Sequence, residues 1–323
     1  MRVLITGGSG FIGRNLREQL PSSYGVAAPT SAELDLLKEQ DVREYLRAGR
    51  FDVVVHAATT RSNRRVTAPA EMLDYNCRMF FNLVRNWDAF GKMIVFGSGA
   101  QYGPRGLLPL RVREDYFDTH VPGDAYGFSK YVCAKWMENQ VPGVRSQVAG
   151  SGGGAGNIIE LRLFAVFGPY EDYTVRFISN ACARAVKGLP IVVRQDVTFD
   201  FLYVKDLVGI TRWFIENEAR HEAYNVCSGH PVALTEVAKI VSQVSSQNAL
   251  ANLGHPRNPE ISVTKPGMGE AYTGDNARLM GEMPAYSFWD LREAIRDLYE
   301  WYEEHEAEID EMALKFDDQC RSE

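Results

Sequence analysis

Residues 1–16 read MRVLITGGSGFIGRNL and decide the fold. An apolar run, Val3–Thr6, predicts a short strand, and the pattern of Phe11–Leu20 predicts a helix directly after the glycines. The three glycines are spaced G-x-x-G-x-x-G, which permits a tight turn, brings a pyrophosphate to the helix N-terminus and lets the helix pack closely on the strand. The turn residues that we expect to contact a dinucleotide are Gly7, Gly10, Phe11, Ile12 and Gly13.

Strand and helix patterns alternate after this turn. Such alternation predicts a parallel sheet with helices on both faces, and right-handed crossovers place all strand ends on one ligand-binding edge. The fold class is therefore α/β, a Rossmann doubly wound parallel sheet. The segments that we expect to be strands are Tyr24–Ala28, Phe51–His56, Lys92–Phe96 and 158–164, and those that we expect to be helices are Leu37–Ala48 and Pro69–Phe90.

The pattern changes near residue 168, where a smaller mixed α/β lobe begins. We assign residues 1–167 to the dinucleotide-binding domain, with residues 199–227 returning to it, and residues 168–198 and 228–323 to a substrate lobe. Residues 103–123 are predicted to form a loop over the ligand edge, and the glycine-rich residues 142–157 a surface loop.

The overall composition and net charge limit the classes of partner that we expect the protein to bind. The 323 residues carry a formal net charge of -7, which argues against nucleic acid or an anionic membrane as a partner. The five cysteines are scattered and the six histidines show no ligand-like spacing, so we expect a reducing, cytoplasmic compartment and no metal site. The chain opens directly on a strand pattern and lacks an apolar run of about 20 residues, which predicts neither a signal peptide nor a membrane helix.

The tip of the second strand bears on the choice of cofactor. NAD-binding domains usually place an acid there to bind the ribose diol. Here residues 26–31 read VAAPTS, without an acid. Two hydroxyls at the tip, and an arginine directly after the last glycine, suit a 2′-phosphate and favour NADP over NAD. NAD remains open, because Glu33 or Asp35 could bind the ribose. The residues that we expect around the adenosine end are Arg14, Ser31, Asp35 and Leu36.

Tyr126 and Lys130 form a Y-x-x-x-K pair. On a helix these two side chains lie on one face, and a nearby ammonium favours the phenolate form of the tyrosine. A tyrosine of this kind can exchange a proton with a carbinol. Ser98 follows the fourth predicted strand on the ligand edge, where its hydroxyl can hold the substrate oxygen. We therefore predict Ser98, Tyr126 and Lys130 as the catalytic set.

Seven segments together resemble extended short-chain dehydrogenases of the NAD-dependent epimerase/dehydratase family, which act on nucleotide sugars. GDP-fucose synthase-like reductases are the most similar branch. The resemblance runs along nearly the whole chain and implies a nucleotide-sugar substrate, a homodimer and a place in cell-surface polysaccharide biosynthesis. The segments are TGGSGFIG (6–13), HAA (56–58), SGAQYG (98–103), YGFSK (126–130), RLFAVFGP (162–169), FDFLYVKDL (199–207) and YNVCSG (224–229).

The resemblance also assigns roles to individual residues. It implies that Lys130 binds the nicotinamide ribose as well as tuning Tyr126. It implies that the helices at Pro69–Phe90 and 126–140 pair into the four-helix bundle of a dimer. Further cofactor contacts that it implies are Ala57, Ala58, Thr59, Phe164 and Val166.

Departures from the family pattern narrow the reaction. The 4,6-dehydratases of the family carry an Asp-Glu pair at the positions of Gly99 and Ala100, so dehydration is not expected. GDP-fucose synthases, which also epimerise C3 and C5, use a cysteine at Ala100 and a histidine near Thr174, so C3/C5 epimerisation is not expected either. An arginine usual in the family is Phe199 here. The residues that we predict at the substrate are Ala100, Gln101, Tyr102, Ala165, Thr174, Arg176 and Arg194.

Three functions remain open at this point. The first is a reductase that uses NADPH to reduce a 4-keto-6-deoxy nucleotide sugar, with Tyr126 as proton donor. The second is a nucleotide-sugar 4-epimerase that keeps NAD bound. The third is a non-catalytic cofactor-binding scaffold, because a fold alone does not determine a function.

Overall fold

The computed structural model describes residues 1–60, 68–139, 158–253 and 257–320; the predicted loop 142–157 lies outside the described residues. The strands are β1 (Arg2–Thr6), β2 (Gly25–Ala27), β3 (Phe51–His56), β4 (Phe90–Ser98), β5 (Ile158–Leu163), β6 (Val166–Phe167), β7 (Ile191–Asp196), β8 (Thr198–Phe199), β9 (Leu202–Tyr203), β10 (Ala223–Val226), β11 (Val232–Ala233) and β12 (Ile261–Met268). The helices are α1 (Phe11–Gln19), α2 (Glu39–Gly49), α3 (Pro69–Val84), α4 (Ala125–Glu138), α5 (Phe177–Val186), α6 (Val204–Glu216), α7 (Leu234–Leu253), α8 (Ala277–Glu282), α9 (Leu291–Glu304) and α10 (Glu311–Cys320).

Six strands form one sheet in the order β2-β1-β3-β4-β5-β10, and every neighbouring pair is parallel. The predicted Rossmann α/β fold is thus confirmed. The strand order reverses at β1, which lies between β2 and β3. In such sheets the ligand crevice opens beyond the carboxyl ends of the strands at this reversal. The register pairs Thr6 with His56 and Ser98 with Leu163, so these residues share that edge.

The prediction of one helix from Pro69 to Phe90 is wrong at its C-terminal end. Helix α3 ends at Val84, and a short 3₁₀ turn at Trp87–Ala89 leads into β4. The amide of Asn86 donates to the carbonyl oxygen of Asn82 at 2.9 Å, which satisfies a terminal helix acceptor, and Phe90 already pairs with Phe51 in the sheet. Strand β4 is therefore longer than predicted at both ends, and Ser98 is its last residue.

Three clusters of buried apolar side chains hold the molecule together. Two cover the opposite faces of the six-stranded sheet, and the third joins α5, α7 and α9 in the C-terminal part. No helix within the described ranges has the length and apolar character needed to span a bilayer. Within the same ranges, no three His, Cys, Asp or Glu side chains cluster as a metal site would require.

Candidate active site

The glycine turn after β1 is closely packed against the end of β3. Gly7 has a φ of 71°, a left-handed conformation that favours glycine, and a Cβ at this position would lie 2.7 Å from the Cα of Ala58. A Cβ on Gly13 would lie 2.2 Å from the carbonyl oxygen of Gly7. The turn therefore brings bare backbone to the N-terminus of α1, which begins at Phe11. This geometry fits the pyrophosphate of a dinucleotide.

The polar residues near the end of β2 already have partners. Both the backbone N–H and the hydroxyl of Thr30 donate to Glu33, and these bonds lower the pKa of the Glu33 carboxyl. Asp35 accepts from the N–H of Leu37 at 3.0 Å. Arg14 pairs with Glu18 at 2.9 Å and lies 3.7 Å from the centre of the Tyr170 ring. The predicted adenosine contacts Arg14, Ser31, Asp35 and Leu36 stay predictions, of which Ser31 is exposed and Leu36 buried.

The three predicted catalytic residues come together at the sheet edge. Ser98 ends β4, and Tyr126 and Lys130 lie in the first half of α4, whose N-terminus is capped by Asp124. The ammonium of Lys130 donates to the carbonyl oxygen of Phe96 at 2.8 Å and lies 5.9 Å from the centre of the Tyr126 ring. All three side chains line one cavity of about 580 Å³. The geometry is that of a proton-transfer site open to a small molecule.

A capping box shapes the turn that follows Ser98. The Ser98 hydroxyl accepts from the N–H of Ala100 at 3.2 Å, and the N–H of Ser98 donates to the Gln101 side chain at 3.0 Å. The Gln101 amide in turn donates to Glu160 at 2.8 Å. Tyr102 is fully buried and donates to Asn225 at 2.6 Å. Gln101 and Tyr102 stay predictions as substrate contacts; both side chains are fully buried, and neither belongs to the lining of the cavity.

Other predicted residues do line the cavity. On the cofactor side these are Phe11, Ile12, Ala57, Thr59 and Val166, and on the substrate side Ala100, Ala165 and Arg176. Phe164 is fully buried behind the wall. Thr174 and Arg194 do not belong to the lining; the Thr174 hydroxyl donates to Asp172 at 2.6 Å, and Arg194 is exposed on β7. The lining thus includes residues predicted at the cofactor and residues predicted at the substrate.

The sequence did not single out several lining residues as site residues. Arg105 belongs to the charged loop that the sequence predicts over this edge of the sheet. The predicted position of that loop was the one sign in the sequence that Arg105 could reach the site. Glu171 follows the RLFAVFGP segment, but no spacing marked it. Tyr272 reaches the cavity by a bridge to Phe199, a contact that no local pattern announces. The lining residues missed in this way include Arg105, Asp124, Glu171, Phe201 and Tyr272.

Gly99 shows why no acid follows Ser98. A Cβ at this position would lie 2.6 Å from both the Cε1 atom of Phe164 and the hydroxyl of Tyr272. An aspartate there would displace one of these buried rings. Ala100 lines the cavity with a methyl group alone. Neither position after Ser98 can therefore supply an acid or a base.

His56 lies beneath the catalytic lysine. Its ring nitrogen Nδ1 is 2.8 Å from the hydroxyl of Thr6, and its side chain is buried. Burial, with a smaller contribution from the Lys130 ammonium, lowers the pKa of His56 to about 3. The imidazole is therefore neutral at physiological pH and leaves Lys130 as the charge beside Tyr126.

Comparison with known proteins finds relatives and similar folds along most of the chain. A dTDP-4-dehydro-6-deoxy-D-allose reductase of a Streptomyces species is 26% identical over 334 aligned residues, covering 94% of this chain and 96% of that protein. A GDP-L-fucose synthetase from Naegleria fowleri bound to NADP has a similar fold, with a TM-score of 0.78, 17% identity and coverage of 94% and 93%. So does a UDP-glucose 4-epimerase of Thermus thermophilus in complex with NAD, with a TM-score of 0.71, 24% identity and coverage of 93% and 98%.

The family model described as the NAD dependent epimerase/dehydratase family matches residues 3–227. That range contains the glycine turn, Ser98, Tyr126 and Lys130. It also contains five strands of the parallel sheet in full, and all of β1 except Arg2. The chain belongs to the NAD dependent epimerase/dehydratase family.

Proposed function

We propose that the protein is a 4-ketoreductase that uses NADPH to reduce a 4-keto-6-deoxy nucleotide sugar. The observation that carries this proposal is the pair of positions after Ser98, where Gly99 has no space for a side chain and Ala100 offers a methyl group. The site therefore has the groups for carbonyl reduction, without an acid or base at these two positions. The similarity to a dTDP-4-dehydro-6-deoxy-D-allose reductase supports the same reading.

The protein's own residues would act as follows. The Ser98 hydroxyl donates a hydrogen bond to the substrate carbonyl oxygen and holds it near Tyr126. Tyr126 donates the proton that converts this oxygen to a hydroxyl, and the Lys130 ammonium stabilises the phenolate that remains. A bound nicotinamide cofactor supplies the hydride. The glycine turn and α1 hold its pyrophosphate, and Ala57, Thr59, Val166 and Lys130 contact it along the cavity wall.

The choice of NADP over NAD is part of the proposal. Arg14 is the basic residue nearest to the glycine turn, and it would bind the 2′-phosphate by leaving Glu18, an exposed partner at 2.9 Å. An exposed ion pair of this kind contributes less than about 1 kcal/mol, so the exchange is inexpensive. Titration of the purified protein with NADPH and NADH is the measurement, and tighter binding of NADH would contradict the preference.

The test of the reaction is stoichiometric. Purified protein is mixed with NADPH and a 4-keto-6-deoxy nucleotide sugar, and absorbance at the NADPH band is followed against product formation. We expect one NADPH consumed for each ketone reduced. A complete lack of turnover across nucleotide forms of this ketone would refute the proposal. Protein that purifies with bound NAD and interconverts C4 epimers without net cofactor consumption would instead support the 4-epimerase.

The proposal extends to the domains and to the oligomeric state of the protein. We propose that residues 1–167 and 199–227 bind the cofactor, and that residues 168–198 and 228–323 bind the substrate. We also propose a cytoplasmic homodimer formed through α3 and α4, which pack on each other with Phe81 and Trp136 in an edge-to-face contact. Four cysteines, Cys77, Cys133, Cys182 and Cys227, are free thiols, as a reducing compartment favours. Sedimentation at the monomer mass of 36.3 kDa would contradict the dimer.

A further inference from the structure

Arg105 reaches the catalytic cavity from the loop that follows β4. Its guanidinium carbon lies 4.8 Å from the centre of the Tyr272 ring and 5.2 Å from the centre of the Phe199 ring. Both rings line the same cavity as Ser98, Tyr126 and Lys130. Cation–π contacts of this kind orient a guanidinium but use none of its N–H donors.

The donors of Arg105 are left for a ligand. Within the parts of the chain that the structure describes, the Arg105 side chain makes no hydrogen bond to another residue and has no carboxylate within ion-pair distance. The second arginine of the cavity, Arg176, differs, because Glu171 lies 3.9 Å from it. A guanidinium that is oriented and still has its N–H groups available suits bidentate binding of a phosphate.

The platform beneath Arg105 is held by the backbone. The N–H of Tyr272 donates to the carbonyl oxygen of Thr198 at 2.9 Å, and the N–H of Asp200 donates to that of Tyr272 at 3.2 Å. On its other side the Tyr272 hydroxyl lies against Gly99, directly after Ser98. The Tyr272 ring therefore separates the catalytic serine from the guanidinium.

A nucleotide sugar could contact both Arg105 and the proposed catalytic residues, because all of them line the same cavity. In such a molecule one hexose ring separates the reacting C4 from the phosphate on C1. We propose that Arg105 binds the diphosphate of the substrate and thereby selects nucleoside-diphosphate sugars over free sugars. The proposal rests on the proposed function for the position of C4. It does not rest on it for the phosphate contact, which can be measured without turnover.

The first test is binding. GDP, UDP, ADP and dTDP are titrated by calorimetry into wild-type protein and into two variants, Arg105→Gln and Arg113→Gln. Arg113→Gln is the matched control, because it removes an exposed arginine of the same loop that pairs with Asp115 at 3.7 Å. We expect Arg105→Gln to weaken the tightest nucleoside diphosphate by about 10- to 100-fold, the range for a charge-assisted hydrogen-bonded pair. We expect the control to match wild type.

Three results would overturn the proposal. The first is a diphosphate affinity of Arg105→Gln within about twofold of that of the wild type. The second is a wild-type protein that binds none of the four diphosphates at millimolar concentration. The third is a loss of NADPH affinity in Arg105→Gln, which would place the guanidinium on the cofactor instead.

The second test separates this proposal from the proposed function. If the protein reduces 4-keto nucleotide sugars, Arg105→Gln should raise KM by about the same factor as the loss in diphosphate affinity and leave kcat within about threefold, since Arg105 contacts a non-reacting part of the substrate. A lowered kcat with unchanged KM would refute the role of Arg105 alone. Diphosphate binding that depends on Arg105, without any turnover, would refute the reductase alone.

Discussion

We expect Lys130 to act on Tyr126, because its ammonium lies 5.9 Å from the centre of the Tyr126 ring. The ammonium is held by the Phe96 carbonyl oxygen, and the buried imidazole nearby is neutral. A protonated His56 would repel the Lys130 ammonium, so the neutral imidazole lets the ammonium stay at this position. Two local contacts therefore set the charges beside Tyr126. Burial keeps His56 neutral, and the bond to Phe96 holds the Lys130 ammonium in place.

We expect Tyr126→Phe to lower kcat for ketone reduction by about 100- to 10,000-fold, because general acid catalysis contributes about that factor. Affinity for NADPH should be retained, since the ring stays. Tyr131→Phe is the control, because this tyrosine lies on the same helix and bonds Asp118 at the surface instead. Equal activity of the two variants would contradict a catalytic role for Tyr126.

His56 predicts a loss of stability in acid. Its pKa of about 3 in the folded protein is below the value of about 6.5 in an unfolded chain, so the unfolded state takes up a proton first as the pH falls. The stabilisation is fully present above pH 6.5 or so and should fall by about 2 kcal/mol at pH 5. His56→Asn should flatten this part of the curve in urea unfolding at a series of pH values. An unchanged slope would show that His56 is not the group responsible.

At the scale of elements, the strand, turn and helix of residues 2–19 are packed together by close contacts between their own backbone atoms. We expect this packing to position the cofactor. Gly13→Ala would place a methyl group 2.2 Å from the Gly7 carbonyl oxygen, so the turn must open. Overpacking of this kind costs about 1–3 kcal/mol, and we expect NADPH affinity to fall by about tenfold or more.

The matched control for this substitution is Gly123→Ala, where a Cβ meets no atom within 4 Å among the residues described. NADPH fluorescence and the midpoint of thermal unfolding report the two effects separately. If Gly13→Ala binds NADPH as well as Gly123→Ala does, close packing of the turn is not required for binding.

The sequence predicted the elements that carry local signals. The glycine turn, the Y-x-x-x-K helix face and the serine at the strand end are short patterns, and the structure brings Ser98, Tyr126 and Lys130 to one cavity as expected. The end of α3 was missed because a side-chain cap at Asn86 stops the helix while the apolar pattern continues. The sequence could not show that the Gln101 side chain faces inward to Glu160, since a polar residue in a turn can face either way.

Tyr272 shows what local patterns cannot reveal. It lies more than 140 residues after Tyr126 along the chain and enters the cavity through pairing with Phe199. The proposal that Arg105 contacts a ligand depends on the two rings that lie beneath its guanidinium, which the sequence does not reveal. Such placements depend on tertiary contacts between the loop, β8 and the segment after β12.

At the scale of the whole molecule, a buried polar network joins the catalytic turn to the far side of the sheet. Arg162 on β5 donates to Glu160 at 2.7 Å and to the Tyr102 hydroxyl at 3.0 Å, and Tyr102 reaches Asn225 on β10. The side chains of Arg162 and Glu160 are 5% and 4% exposed. The turn that carries Ser98 is thereby fixed to three neighbouring strands.

Arg162→Met should destabilise the protein by about 3–5 kcal/mol, because it leaves the buried Glu160 carboxylate without its cation. The double variant Glu160→Gln with Arg162→Met should recover part of this loss, since no unpaired charge remains. Urea unfolding monitored by circular dichroism measures both. A double variant as unstable as the sum of its single changes would mean that the two side chains act independently.

The capping box at Ser98 determines which hydrogen-bonding position of the Ser98 hydroxyl remains for a ligand. One lone pair of the Ser98 oxygen already accepts from the N–H of Ala100, while its proton has no such local partner in the cap. The cap thus uses the hydroxyl as an acceptor and leaves its donor for a ligand in the cavity. A donor at this position favours an oxygen that gains electron density and disfavours a cationic group. We therefore expect the turn to favour carbonyl and alkoxide ligands by polarity.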